Sequence, residues 1–423
     1  MGAGILFGVL FILLFLGVPI AICLGIAAAV TMAVTGNMQY LAAVPTRMFT
    51  QLDNTTLMAV PFFILAGNIM AEGGISDRLI GFFELLLKRL PGRLACISVV
   101  ASGFFRAISG SNPATVAAIG GITAPRMIQK GYPPEKAAAI AASSGTLGVV
   151  IPPSIPMVTY AVTAGVSIIS MFAAGWVPGI MLIVGLCIAN AIMCKQYDSV
   201  DATKYPVKEY FIRFKDAFLA LLMPVIILGG IYGGIFTPTE SAAVACVYAL
   251  IVSCFVFKEL NLKQLYKIFK DSCISSAVVL FVVGMSAPFA WYMTSENIPT
   301  MISTAVMSTF SNKFVILLAM NLLLLFLGCF LETQSIILLV TPILLPMATA
   351  LGVSPVALGL IIIVNTSIGM ITPPMAFNLF VATGICKTTI GAVSKKIMPY
   401  LILEFGILLL YTYVPILLNI PIG

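Results

Sequence analysis

Long apolar runs, parted by short polar or basic stretches, make up most of this chain, and they read as helices that face lipid or pack inside a membrane bundle. Two of the runs, 221 residues apart, are interrupted in the same way. Ser144-Gly145-Thr146-Leu147-Gly148-Val149-Val150-Ile151-Pro152-Pro153 is echoed by Asn365-Thr366-Ser367-Ile368-Gly369-Met370-Ile371-Thr372-Pro373-Pro374. With no gap, Pro125, Gly131 and Pro134 fall on Pro346, Gly352 and Pro355. Six of the eight Gly/Pro positions from 125 to 154 meet the identical residue, where about one match is expected by chance. The pattern predicts two tandem copies of one membrane-length unit, broken at the same place in each.

Lysine and arginine cluster at Arg78–Arg93, Arg126–Lys136, Lys195–Lys215 and Lys258–Lys270. The positive-inside rule puts all four in the cytoplasm, so the crossings between them are even in number. Residues 94–108 and 114–125 are each too short for a hydrocarbon core that takes about 20 helical residues. They predict a re-entrant hairpin, 94–125, with the polar tip Ser109-Gly110-Ser111-Asn112-Pro113 at mid-membrane. Residues 137–170 then cross outward, broken near Gly145–Pro153, and 171–194 return. A cytoplasmic linker, 195–216, leads to a second half that runs the same plan upside down. Its crossings are expected at 217–236, 239–257 and 273–292, followed by a hairpin at 314–350 with the tip Glu332-Thr333-Gln334-Ser335. A broken helix at 355–384 and a last crossing at 397–419 complete it. The first half opens with 4–34 as two short helices split at Gly17-Val18-Pro19. The expected fold is an all-α polytopic membrane protein of about ten crossings. It is an inverted structural repeat, 1–194 and 217–423, with two opposed re-entrant hairpins and two broken helices.

Composition removes most chemistry. The chain is 61% apolar and 9% charged, against roughly 25% charged in a soluble domain. Histidine is absent, which excludes Ser-His-Asp and Cys-His catalysis and most zinc sites. There is no GxxxxGK[ST] loop, so this chain is not expected to hydrolyse ATP. Asp53, Asp77, Asp198, Asp201, Asp216 and Asp271 lie in or beside loops, which leaves no intramembrane aspartate pair. The nine cysteines form no CxxC pair and read as small core residues. The net charge of +7 sits in short loops and reads as topology, not nucleic-acid binding. An enzyme is not expected.

Breaking a helix in lipid frees backbone N–H and C=O groups, each costing several kcal/mol if left unpaired. A lone Gly-Pro break is usually a packing kink, and membrane Ser and Thr mostly bond their own i−4 carbonyl. A matched pair of breaks, each preceded by a polar tip, points instead to binding sites. Hydroxyls, amides and carbonyls are hard oxygen donors that suit Na⁺, and half-helix N-termini suit a carboxylate. Two such clusters make two cation sites with an anionic substrate between them. Arg106 and Glu332, near the tips, are intramembrane charges and functional candidates on that ground. With them, Thr146, Pro152, Ser367 and Pro373 at the breaks are candidate substrate contacts. Glu240 has a structural explanation, because Thr237-Pro238-Thr239-Glu240 reads as a capping box.

The assembled residues resemble the large membrane subunit of the TRAP transporters, the tripartite ATP-independent periplasmic family, over essentially the whole chain. The likeness is carried by Phe15-Leu16-Gly17-Val18-Pro19, Leu57-Met58-Ala59-Val60-Pro61-Phe62-Phe63-Ile64-Leu65-Ala66-Gly67 and the first hairpin tip. It continues in Gly131-Tyr132-Pro133-Pro134-Glu135-Lys136-Ala137-Ala138-Ala139-Ile140, the Pro152-Pro153 break and Gly229-Gly230-Ile231-Tyr232-Gly233-Gly234-Ile235-Phe236-Thr237-Pro238-Thr239-Glu240. The resemblance implies an elevator-type transporter in the bacterial inner membrane that takes up an organic acid with Na⁺ as coupling ion and no other cofactor. C4-dicarboxylates, sialic acids and sugar acids are the implied substrates. It also implies two partners, a small four-helix membrane subunit (Q type) and a periplasmic substrate-binding protein (P type). No small-subunit-like extension precedes residue 4, so the unfused form is expected.

Carried onto this chain, one Na⁺ site takes Ser109, Ser111 and Asn112 with backbone oxygens at Gly145 and Gly148. The other takes Thr333, Gln334, Thr366, Gly369 and Met370. The tips differ under the repeat offset, so the two ligand sets are not expected to be symmetric. The rival reading is a stand-alone Na⁺/dicarboxylate symporter of the same architecture. A channel would instead show charge rings or repeated filter loops.

Overall fold

The computed structural model describes residues 2–198, 206–310, 312–373 and 376–418; the side chains of 106–109, 207 and 415–418 lie outside the described set. Among the described residues there is helix and turn and no strand. Eight helices are long and apolar enough to cross a membrane, or nine if the bent pair Pro134–Val150 and Ile155–Ala164 counts as one span. These eight include the arms Lys313–Phe330 and Thr333–Ala350, expected as a hairpin beside the ten crossings. They leave out the broken pair Pro355–Gly369 and Phe377–Cys386 and the short opening helices Gly2–Phe15 and Ile20–Val34, of 14 and 15 residues. The opening helices part where expected: Gly17 takes a left-handed φ of +77° and Pro19 precedes the second helix.

Helix starts follow local rules. Thr237 accepts from the Glu240 N–H at 3.3 Å while Glu240 Oε2 accepts from the Thr237 N–H at 2.8 Å, a complete capping box with Pro238 at the first helical position. Asn261 and Gln264 make a second box, and it opens the 34-residue helix Leu262–Ser295. That helix starts eleven residues earlier than the expected 273, since the cap, not the apolar run, sets its beginning. The helix Val207–Tyr232 likewise starts ahead of the expected 217 and carries its charged first turns with it.

The first tip joins Arg93–Ser109 to the helical stretch beginning at Asn112 through left-handed Gly110 and extended Ser111. These arms pack on each other. The second tip, extended Leu331-Glu332, joins Lys313–Phe330 to Thr333–Ala350. Its arms touch each other little, and both rest on the helix Pro355–Gly369. Each of these arms has 18 residues and is long enough to cross by itself; the first arm of the first pair, Arg93–Ser109, has 17. The first broken helix runs Pro134–Gly145 and Leu147–Val150, then turns by 41° into Ile155–Ala164. The second runs Pro355–Gly369 and resumes at Phe377–Cys386.

Two long helices, Ile168–Met193 and Ile390–Leu418, pack together and hold the first break. Ile168–Met193 is apolar all round, so polarity does not choose its buried side. Close packing does. A Cβ at Gly175 would stand 2.6 Å from Met157 Cε and one at Gly179 2.8 Å from Ile151 Cγ1, while Val177, Ile180, Val184 and Ile188 face outward. Buried Asn190 ties three elements, donating to the Ala95 carbonyl at 3.3 Å and accepting from the Tyr400 hydroxyl at 2.6 Å.

At the base of the first hairpin, Asp198 Oδ2 accepts from the Leu94 N–H at 2.9 Å and Oδ1 lies 3.8 Å from Arg93. Asp198 is 6% exposed. Replacing it with alanine strands a buried N–H beside a basic side chain, at a cost of about 2 kcal/mol. Thermal unfolding of the purified protein in detergent should record that loss for Asp198→Ala, with a smaller one for Asp198→Asn.

Candidate functional site

Asn112 opens the second arm of the first hairpin and is 1% exposed. Its Nδ2 donates to Ser367 Oγ at 2.7 Å and lies 3.3 Å from Met370 Sδ. Ser367 donates in turn to the Thr146 carbonyl oxygen at 2.6 Å. Thr146 and Ser367 are matched positions of the two similar stretches of sequence, 221 residues apart. The two breaks therefore meet each other at matched positions, with the first tip clamped over the junction.

Asn112 Oδ1 has no hydrogen-bond partner among the described residues. It lies against Gly148, where a Cβ would stand 2.5 Å from it. A Cβ at Gly145 would stand 3.4 Å from the Asn112 carbonyl oxygen and would run into Val116. The fold thus brings together Asn112, Gly145 and Gly148, three of the five residues expected at the first cation site. Ser111 lines the cavity beside them. The side chains of Ser109 and of Arg106 lie outside the described residues.

The second set divides. Thr333 Oγ1 lies 3.8 Å from Met370 Sδ, and Gln334, 6% exposed, has no partner for Oε1 among the described residues. Thr366 spends its hydroxyl hydrogen on its own helix, at the Ile362 carbonyl 2.8 Å away. Gly369 backs onto the Gly328 backbone of the hairpin's first arm, not onto the tip. Thr333, Gln334 and Met370 gather at the cavity; Thr366 and Gly369 serve a helix crossing behind it.

Both tips line one cavity of about 350 Å³. Gly110, Ser111 and Asn112 form one part of its wall and Glu332, Thr333 and Gln334 another. Facing them are Asn68, on the helix Ala59–Glu72, and Ser275, on Leu262–Ser295. These two helices are joined by Asn68 Nδ2 donating to Ser272 Oγ at 2.8 Å. No lysine or arginine lines the cavity among the described residues. Nor do they contain a cluster of three or more acidic, Cys or His side chains that could hold a metal. A cation here is left to neutral oxygens and Glu332. Of the candidate substrate contacts, Glu332 lines the cavity. Thr146, Pro152 and Ser367 are buried away from its wall, and half-buried Pro373 is not part of it.

Two residues join the site that sequence reasoning passed over. Glu404, on the last long helix, is completely buried, with Oε1 3.1 Å from the Thr146 hydroxyl. A lone glutamate in an apolar run is a legible signal, and it was there to be used. Asn378 splices the second break: its N–H donates to the Met370 carbonyl at 3.0 Å and its Nδ2 to the Ala142 carbonyl at 3.2 Å. Nothing local marks its side chain, whose partner Ala142 lies 236 residues away.

A model of the family described as "Tripartite ATP-independent periplasmic transporter, DctM component" matches residues 7–417. The chain belongs to this family. Over 368 residues it is 43% identical to the isethionate TRAP transporter permease protein DctMQ of Oleidesulfovibrio alaskensis, covering 87% of this chain and 58% of that longer protein. To the C4-dicarboxylate TRAP transporter large permease protein DctM of Rhodobacter capsulatus it is 38% identical, over 88% of each chain. To the sialic acid TRAP transporter large permease protein SiaM of Vibrio cholerae it is 36% identical, over 87% of this chain and 86% of the other. The crystal structure of the Alcanivorax borkumensis YdaH transporter shares the fold, with a TM-score of 0.67 at 17% identity, over 91% of this chain and 90% of that one. This chain is thus a multi-pass membrane protein of a transporter permease family, not of an enzyme family.

The Gly148 contact predicts a sharp contrast. Gly148→Ala drives a methyl group into the Asn112 side chain and backbone and costs about 1–3 kcal/mol. Gly121→Ala, which meets nothing within 4 Å, is neutral or stabilises by up to about 1 kcal/mol. Thermal unfolding of the two variants side by side checks both.

Proposed function

We propose that this chain is the large permease of a tripartite system that takes up an organic acid across the bacterial inner membrane, driven by Na⁺. The observation that carries this is the buried, unpartnered Asn112 Oδ1 at a tip held by both helix breaks, beside a cavity lined by both tips. A buried amide oxygen without a donor is poorly satisfied, and a desolvated Na⁺ needs such oxygens. In this reading one Na⁺ sits at Asn112 with backbone oxygens of Gly145 and Gly148 and a hydroxyl of Ser109 or Ser111. The second uses Thr333 and Gln334 near Met370.

Ordering of the tips by Na⁺ shapes the cavity for the acid. Its carboxylate charge meets the N–H groups at the start of the helix Thr333–Ala350, whose cap residue Glu332 makes no side-chain cap bond. Arg106 is the other candidate partner. Glu332, when ionised, repels a carboxylate and suits a cation. The two halves are read as an inverted repeat, supported by the matched series Arg93–Ser109, Pro134–Gly145, Ile155–Ala164, Ile168–Met193 and Lys313–Phe330, Pro355–Gly369, Phe377–Cys386, Ile390–Leu418. The hairpins and broken helices then move as one body against the helices Ala59–Glu72 and Leu262–Ser295. A cavity lying between these two sets supports that elevator motion. The substrate arrives on a periplasmic binding protein, and a small membrane subunit completes the permease.

The test is uptake into proteoliposomes holding this chain with its small membrane subunit, under an inward Na⁺ gradient. Radiolabelled C4-dicarboxylates, isethionate and sialic acid are offered with and without the cognate binding protein. Uptake that needs both Na⁺ and the binding protein is expected. Na⁺-driven uptake without it would make the chain a stand-alone symporter. In the same assay Asn112→Ala should raise the half-saturating Na⁺ concentration about tenfold, the equivalent of about 1.4 kcal/mol, with near-normal membrane insertion. Unaltered Na⁺ activation would remove Asn112 from the ion site.

A further inference from the structure

The completely buried carboxyl group of Glu404 has no part in the reading above, and its surroundings pose a hydrogen-counting problem. The Thr146 hydroxyl lies 2.7 Å from the Ser143 carbonyl oxygen and 3.1 Å from Glu404 Oε1. It has one hydrogen for two acceptors. The shorter contact, to the carbonyl, is the better use of it. The 3.1 Å contact then lacks a hydrogen unless the carboxyl brings its own. The other oxygen, Oε2, has no partner among the described residues. An ionised carboxylate buried here would hold its charge on a single hydroxyl contact, which proteins avoid.

No neighbouring charge compensates. The helices packed on Ile390–Leu418 are Pro134–Gly145, Ile168–Met193, Lys313–Phe330, Pro355–Gly369 and Phe377–Cys386. Their titratable groups are Glu135 and Lys136 on the first, Cys187 on the second, Lys313 and Cys329 on the third, none on the fourth and Cys386 on the fifth. On its own helix stand Lys395, Lys396, Tyr400, Tyr411 and Tyr413. Lys136 lies over the Tyr400 ring at 4.7 Å, and Tyr400 gives its hydroxyl hydrogen to Asn190. Among the described residues none forms an ion pair with Glu404.

Glu404 is nonetheless wired to the tip. Asn112 donates to Ser367, Ser367 to the Thr146 carbonyl, and Thr146 reaches Glu404 through its hydroxyl. We propose that Glu404 is a proton-binding site, occupied in this conformation and linked to cation binding at the first hairpin tip. The linkage rests on the Na⁺ reading above; the proton site does not. A cation beside Asn112 adds positive charge across this short relay and favours the ionised carboxylate. Cation binding then breaks the Glu404 O–H bond and releases the proton to water, so Na⁺ and H⁺ oppose each other.

Infrared difference spectroscopy of the purified protein, from about pH 5 to about pH 9, reads the C=O stretch of a protonated carboxylic acid directly. The expected result is such a band in the wild type at neutral pH that disappears in Glu404→Gln and persists in Glu332→Gln. Its absence from the wild type, or its loss in Glu332→Gln instead, overturns the proton site, and the wild-type titration decides this even if Glu404→Gln is not recovered. Adding Na⁺ but not K⁺ should shrink the band. In transport, the half-saturating Na⁺ concentration of the wild type should fall several-fold as pH rises, and that of Glu404→Gln should stay constant. A band indifferent to Na⁺ in a protein whose uptake is Na⁺-driven, or an unchanged pH profile in Glu404→Gln, overturns the linkage. Loss of all uptake in well-inserted Glu404→Gln overturns it too, since the carboxylate itself would then be required. A Glu404 band without any Na⁺-driven uptake leaves the proton site standing and removes the Na⁺ reading instead.

Discussion

A helix interrupted inside a membrane must find partners for the backbone groups it releases, and here the second interruption supplies partners to the first. The Thr146 carbonyl takes the Ser367 hydroxyl at 2.6 Å, and the Met370 carbonyl takes the Asn378 N–H at 3.0 Å. Asn378 reaches on to the Ala142 carbonyl of the first broken helix. Each break is closed partly within its own half, at Met370 by Asn378 and at Val149 by Ser154, and partly across the junction. Without water to substitute, separating the two would leave several buried groups unpaired. The junction therefore constrains where both tips lie, and with them the cavity.

Close approach is the second constraint. Glycine recurs where backbone or side chains of another element press in: Gly148 against Asn112, Gly369 against Gly328, Gly175 against Met157 and Gly359 against the Tyr160 ring. With lipid as apolar as leucine, such contacts and the polar ones are what hold helices together. The asymmetry of the two halves lies here as well. Gly148 faces a tip asparagine, whereas Gly369, at the matched position, faces a glycine of the hairpin arm. One matched position is left beside an oxygen donor and the other is filled by packing.

Much of this was legible in the chain. The break at Gly17–Pro19, the capping box at Thr237–Glu240, the turn at Gly110 and the interruption before Ser154 are set by residues that act on their own backbone through φ limits or a missing N–H. The helices Leu262–Ser295 and Ile390–Leu418 began earlier than their apolar runs did, because a helix continues through lysines until something local stops it. Thr366 looked like Asn112 as an oxygen donor, yet its hydroxyl folds back on Ile362. Composition alone does not distinguish a hydroxyl that is spent from one that is free.

By itself the sequence determined the membrane setting, the helix breaks and their repetition, because apolar length and the backbone limits of Gly and Pro are local properties. The tertiary structure alone decided which donors converge. Asn112 meets Ser367 across 255 residues, Thr146 meets Glu404 across 258, and Gln334 joins Ser111 at one cavity. On helices that are apolar all round, no periodicity announces the inward face. Close packing and the pairing of freed polar groups choose it, and both depend on what stands opposite.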